Sequence, residues 1–413
     1  MNQYQNIVGK INYGLFLAIV ALLPFPQVFL RYAFVLWFVC WILEGRWLTR
    51  PKSLRENKML IPLLLFGLWY LWRIVSWFWV SDQDAWTWQI ERYLTFGLII
   101  PVGIWGVNKY YDWTTIGKVF VISCIVAVPI YVVGVTLLFY HPEWVRAMQW
   151  DTIMHIGWKK WYPYFMDNIS FIKHRLFLCS TELFGAVVAY QLWRKRPAIL
   201  IPALLIMLSS IPLTGSRQAV LTAAGLMAVG LVYELPKRYR IRYGVGILLM
   251  GIILGFGLLK MHPRMQNFDF TDLTELREVQ SDNIRLNIWG AALQQPSDYI
   301  AHGLGAGQSP QYMLQKYEEI GLDFYVSKQY NTHNQYLEEV MEIGLPGLLL
   351  FLLCWLSIPL CARKEGIFTA LMFTTIYVMN MLTDCMFGRF CGIALWAVGL
   401  MLIFLQSDSQ RNE

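Results

Sequence analysis

Long apolar runs separated by short polar or basic connections occupy most of the chain. Runs of bilayer-crossing length, roughly 17 to 25 residues, are read near 11–29, 32–44 (short), 59–80, 93–108, 117–140, 176–193, 197–213, 218–233, 241–259, 340–361, 366–382 and 387–405. The pattern predicts an all-α polytopic membrane protein with about twelve transmembrane helices. Two polar stretches are too long to be turns. Segment 141–175 is rich in tryptophan (Trp144, Trp150, Trp158, Trp161), and 260–333 forms a large loop between the ninth and tenth predicted helices. The chain thus divides into 1–259 with nine spans, the partly helical loop 260–333, and 334–413 with three spans and a short tail.

Composition places the chain outside the soluble class: 57% of its 413 residues are hydrophobic, 15% are charged, and mean hydropathy is +0.44. The expected partner is a lipid bilayer, with no nucleic acid. Charge distribution then orients the helices. With a cytoplasmic N-terminus, the inner connections carry Arg46, Arg50, Lys52, Arg55 and Lys58, then Lys109 and Lys118, then Arg194, Lys195 and Arg196, then Lys237, Arg238, Arg240 and Arg242, then Arg363 and Lys364. Every inner connection is basic, as the positive-inside rule requires. An even number of spans puts both termini in the cytoplasm and 260–333 on the outer face. The first span doubles as the targeting signal, since no cleavage site and soluble domain follow it.

Cysteine adds little to this picture. The seven cysteines fall almost entirely within predicted spans, without a C-x-x-C pair, and read as apolar packing residues. The tryptophans of 141–175 are either interfacial anchors or stacking platforms for sugar rings. Asp82-Gln83-Asp84 is either a metal-binding pair or a solvated turn. The acidic residues Asp269, Asp272, Glu275, Glu278 and Asp282 rotate around a helix rather than converging, so they read as a solvated face. No metal and no other cofactor is expected.

Four polar features remain near the membrane. His333 opens His333-Asn334, nine residues, then Gly344-Leu345-Pro346-Gly347, where the large loop meets an apolar helix. Thr332 and Gln335 offer a T-x-x-Q capping box, which predicts a helix start with His333 in the first turn. The imidazole is then either a neutral base favoured by the helix dipole or only a cap. Arg217, in Thr214-Gly215-Ser216-Arg217, lies in a very short outer connection and either snorkels to headgroups or faces an anion. Arg285 and Trp289 share an amphipathic helix, followed by His302-Gly303-Leu304-Gly305-Ala306-Gly307, a glycine turn or backbone nest without the βαβ context of a dinucleotide site. Arg73 sits inside the third predicted span, where it snorkels, meets a phosphate or lines a transport path.

Taken together, the Ser216-Arg217 turn, Arg285 with the glycine run, and His333-Asn334 followed by Gly344 and Gly347 resemble the O-antigen ligase and O-antigen polymerase superfamily of bacterial membrane glycosyltransferases. The resemblance extends from about Leu213 to Leu360 in motif and to the rest of the chain in helix count and topology. It implies a GT-C-like fold in a bacterial inner membrane with a periplasmic active site. It also implies that Arg217 and Arg285 hold the pyrophosphate of a polyprenyl-linked glycan while His333 acts on the acceptor hydroxyl. Ser216, Gly305, Gly307 and Asn334 are supporting candidates.

Those residue types suit that chemistry. A lipid pyrophosphate is already a good leaving group, so the catalyst must hold the departing diphosphate and deprotonate the incoming hydroxyl. Two arginines grip phosphate oxygens bidentately in place of a divalent metal, and imidazole is the side chain whose ordinary titration range suits the proton transfer. A single displacement inverts the anomeric carbon. The preferred expectation is an O-antigen ligase that transfers glycan from undecaprenyl pyrophosphate to lipid A-core. The polymerase, a protein O-oligosaccharyltransferase, and a lipid-linked glycan transporter without chemistry stand as alternatives.

Overall fold

A backbone crossing a bilayer must satisfy its N–H and C=O groups within its own segment, so the apolar runs fold as helices. The computed structural model describes residues 3–26, 30–54, 57–140, 173–260 and 284–408. Among these, every regular element is helical. The first half comprises α1 (Gln3–Leu22), α2 (Leu30–Leu43), α3 (Leu60–Val75), α4 (Gln83–Arg92), α5 (Leu94–Trp105), α6 (Trp113–Tyr140), α7 (Arg175–Trp193), α8 (Pro197–Leu208), α9 (Ser210–Thr214), α10 (Arg217–Glu234) and α11 (Lys237–Lys260). After it come α12 (Ile284–Ala292), α13 (Ser309–Glu319), α14 (Asp323–Lys328), α15 (Gln335–Cys361), α16 (Ile367–Met381) and α17 (Phe390–Asp408).

The predicted spans fall largely on helix, with α8 and α9 together forming 197–213, although the first leaves its helix at Leu22 rather than running on to 29. Among the described residues, 7 helical stretches are long and apolar enough to cross a membrane, while α2 and α16 are shorter apolar helices. The chain is therefore a multi-pass membrane protein. The tryptophans of 141–175 and the acidic residues from Asp269 to Asp282 lie outside the described residues.

Two compact units divide the chain: Met1–Glu44 with Lys109–His262, and Gly45–Asn108 with Pro263–Glu413. In the first unit α1 packs on α2 and α6, α7 on α6 and α8, and α10 on α11. Asn12, fully buried on α1, donates to the Trp37 carbonyl oxygen at 2.9 Å and accepts from the Tyr111 hydroxyl at 2.7 Å. That pairing satisfies a polar side chain inside an apolar bundle, where an unmade hydrogen bond costs about 1–3 kcal/mol.

In the second unit α15 packs along α3 and α16, and α5 packs on α3 and α17. Their shared core is aromatic: Phe66, Trp69, Phe96, Trp355, Phe387 and Trp396 meet edge-on or stacked. The described part of the large loop is a small helical globule. Ile288, Tyr299, Met313, Tyr317 and Tyr325, from α12 to α14, close over Met341 of α15.

Helix α15 is broken where its sequence reads Gly344-Leu345-Pro346-Gly347. Gly344 adopts φ 71° and ψ −178°, outside helical space. Pro346 then sits in the first turn of the continuing helix, where its missing N–H costs nothing. The break leaves carbonyls without helical partners, and neighbouring groups supply them. Leu304 N–H donates to Met341 O at 2.8 Å, Gly305 N–H to Glu342 O at 2.9 Å, and the Trp72 indole to Ile343 O at 3.1 Å. Leu345 N–H in turn donates to Ile300 O at 2.8 Å.

Candidate active site

The foot of α15 is organised by Asn334. It is the N-cap, with extended backbone, and its side-chain oxygen accepts from Leu337 N–H at 3.0 Å. The capping box expected of Thr332 and Gln335 is therefore not formed. Asparagine caps at least as well as threonine, and it stands two residues further on. Gln335 does other work: its amide nitrogen donates to Glu339 at 2.8 Å and its oxygen accepts from Phe387 N–H at 2.9 Å.

His333 consequently lies ahead of the helix rather than in its first turn. Its φ is 44°, a left-handed conformation that non-glycine residues rarely adopt. An Asx-type turn supports it, in which His333 N–H donates to the Asn331 side chain at 3.2 Å. The ring lies 5.8 Å from that of Tyr330, and Nδ1 stands 3.6 Å from Asp384 Oδ1. That separation is an ion-pair distance, longer than a hydrogen bond; catalytic contacts are often long until substrate is present. Both side chains retain some solvent access, 28% for His333 and 16% for Asp384.

Several contacts stitch the His333 segment to the 382–387 turn that carries Asp384. The Asn334 amide donates to Leu382 O at 3.2 Å, and the Thr332 hydroxyl meets Cys385 Sγ at 3.2 Å. Helix α12 clamps both segments from one face. Arg285 Nε donates to Thr383 O at 2.9 Å, and Trp289, one turn on, donates to Thr332 O at 3.0 Å. Arg285, His333 and Asn334 thus come together in the second unit, with Asp384 among them. Sequence reasoning missed Asp384. Its short connection between α16 and α17 offered only a lone acid, and its relation to His333 exists only in the fold.

Arg73 is fully buried and belongs to a different cluster. Its guanidinium pairs with Glu339 at 2.8 Å and Glu342 at 2.5 Å. Trp69 donates to Glu339 at 2.9 Å, and Ser309 to Glu342 at 2.9 Å. This arginine does not snorkel, and the cation that favoured a transport path is paired with two side chains of α15, Glu339 and Glu342.

The glycine run is a packing device. Gly303, Gly305 and Gly307 have φ of 81°, 105° and 82°. A Cβ on Gly303 would stand 2.3 Å from Glu342 O, and one on Gly307 2.5 Å from Ala85 O. Amides that a phosphate nest would need are already engaged: Leu304 and Gly305 by the α15 break, and Ala306 by the Ser76 hydroxyl at 3.0 Å. Asp82 likewise has a local task, since its carboxylate caps α4 by accepting from Asp84 and Ala85 N–H at 3.0 Å each.

Arg217 and Ser216 belong to the first unit. Gly215 is left-handed at φ 57°, Ser216 caps α10 by accepting from Ala219 N–H at 3.3 Å, and Arg217 opens the helix. The glycine turns the chain between α9 and α10, so the arginine sits in a first turn whose N–H groups carry partial positive charge.

No curated protein matches the chain. The model of the O-antigen ligase family matches residues 202–352, a stretch that holds Arg217, Arg285 and His333, and over this stretch the chain is similar to the O-antigen ligase superfamily.

Proposed function

We propose that the protein is an O-antigen ligase of the GT-C type, which moves a glycan from undecaprenyl pyrophosphate to lipid A-core at the periplasmic face of a bacterial inner membrane. The observation that carries this reading is the pairing of His333 Nδ1 with Asp384 beside Arg285, in a chain whose 202–352 stretch matches the O-antigen ligase family.

In this reading a neutral ring turns Nδ1–H to Asp384 once substrate draws the 3.6 Å gap closed, which leaves the lone pair on Nε2. Nε2 takes the proton of the acceptor hydroxyl as that oxygen attacks the anomeric carbon. The new glycosidic C–O bond forms as the C–O bond to the diphosphate breaks, and the lipid diphosphate leaves with the electron pair. One displacement of this kind inverts the anomeric centre. Arg285 is assigned to the diphosphate, whose developing charge a guanidinium fork meets bidentately without a metal; for Arg217, in the first unit, the same role rests on the family resemblance of its Ser-Arg turn. Asp384 holds the ring and offsets the imidazolium that forms.

The test is a transfer assay with purified protein and lipid-linked glycan, with lipopolysaccharide core supplied or withheld. A ligase yields glycan-bearing core only when core is present. Lengthening of the lipid-linked glycan without core would replace this reading with a polymerase.

A further inference from the structure

A cleft of about 380 Å³ opens in the second unit, away from the contacts that hold His333. Trp79, Asp298, His302, Gln311, Tyr312 and Gln315 line it. Its volume falls within the range of roughly 300–1,000 Å³ typical of small-molecule sites. Polar groups are built into it in an ordered way. Gln308, Gln311, Tyr312 and Gln315 follow the i, i+3, i+4, i+7 pattern, so they form one stripe along α13.

The floor is fixed. Gln308 is buried and spends its amide on the segment before α4: it accepts from the Ser81 hydroxyl at 2.8 Å and Asp82 N–H at 3.1 Å, and donates to Asp82 O at 2.9 Å. The walls keep capacity in reserve. Gln311 makes no side-chain hydrogen bond among the described residues. Gln315 donates through Nε2 to Glu319 at 2.9 Å, which leaves its carbonyl oxygen. His302 Nδ1 lies 2.8 Å from Gly303 O, and its Nε2 makes no hydrogen bond among the described residues. Tyr312 donates to Asp298 at 3.0 Å. Burial first, then that hydrogen bond, pushes the Tyr312 hydroxyl up from its ordinary value, so it remains a phenol.

Amides that both donate and accept, a carboxylate, a phenol and an imidazole suit a ligand ringed with hydroxyls. The indole of Trp79, 5.8 Å from the His302 ring, adds an apolar face for C–H groups. Among the described residues no lysine or arginine lines the cleft, which makes it unsuited to the diphosphate.

We propose that this cleft is a carbohydrate subsite, which holds sugar rings of one of the two substrates while the reacting atoms lie at His333. The inference rests on the glycan-transfer reading above. Two sources share the chemistry, the donor repeat unit and the acceptor core.

The experiment is saturation-transfer NMR on the full-length protein in detergent, with two probes released by mild acid: a core oligosaccharide and a repeat-unit oligosaccharide. Wild-type protein and Gln311→Ala/Gln315→Ala are compared. Both positions are exposed on a helix that alanine favours, so the fold is retained. At least one probe binds the wild-type protein, and its Kd rises about tenfold in the double variant as two hydrogen bonds are lost. Weakening of the core probe alone assigns the cleft to the acceptor, and of the repeat unit alone to the donor. No saturation transfer to either probe, or equal Kd in the double variant, overturns the subsite. Binding that depends on these glutamines in a protein that transfers no glycan would overturn the ligase reading and leave the subsite standing.

Discussion

His333 holds a left-handed backbone that costs a non-glycine residue about 1–3 kcal/mol. The Asn331 turn and the Asn334 cap on either side hold it there. His333 Nδ1 stands 3.6 Å from Asp384, and the proposed mechanism gives Asp384 a definite task. Asp384→Asn removes the anion that fixes the ring tautomer and stabilises the imidazolium. The expected result is a kcat about 100-fold lower or less still, with donor KM nearly unchanged. Steady-state kinetics on the purified variant checks this, and a loss confined to KM would make Asp384 a binding residue.

At the scale of the element, the broken helix α15 explains more than its motif suggests. Its first turns carry Glu339 and Glu342 to Arg73, and its break receives the glycine run. Arg73→Met leaves two buried carboxylates without their cation, a change worth about 3–5 kcal/mol of stability. Thermal unfolding in detergent should therefore drop by several degrees. Arg73→Met/Glu339→Gln/Glu342→Gln should regain much of the loss. A stable single variant with impaired transport-like release of glycan would instead restore a functional role for the arginine.

Legibility in the sequence followed the range of the interaction. Apolar runs announce spans because each helix satisfies its own backbone, and His333, Asn334 and Arg285 stood out because their motif is local. The helix start was misplaced because Thr332 and Asn334 offer competing caps only two residues apart, and only the fold decides between them. Arg73 and its carboxylates are separated by 266 and 269 positions, and no periodicity links them. The glycine run was visible as a turn, yet its reason, the carbonyls freed at Gly344, lies on another element.

For the whole molecule, charge orients what packing cannot. On the proposed topology the basic connections put 284–334 on the periplasmic side, where a lipid-linked donor and a core acceptor would meet. A cysteine at the exposed position Ser297, with Cys40 and Cys361 replaced by alanine, should react with a membrane-impermeant maleimide once the outer membrane alone is opened. Labelling that requires rupture of the inner membrane would invert the topology and with it the site.

The most direct test of the central claim is His333→Asn. Asparagine tolerates the left-handed backbone and is no base, and the cap belongs to Asn334, so fold and donor binding should survive the change. The account predicts wild-type unfolding and wild-type donor affinity, with glycan transfer to core reduced about 10²- to 10⁴-fold. Transfer at the wild-type rate would show that His333 shapes the loop and that the acceptor proton leaves by another route.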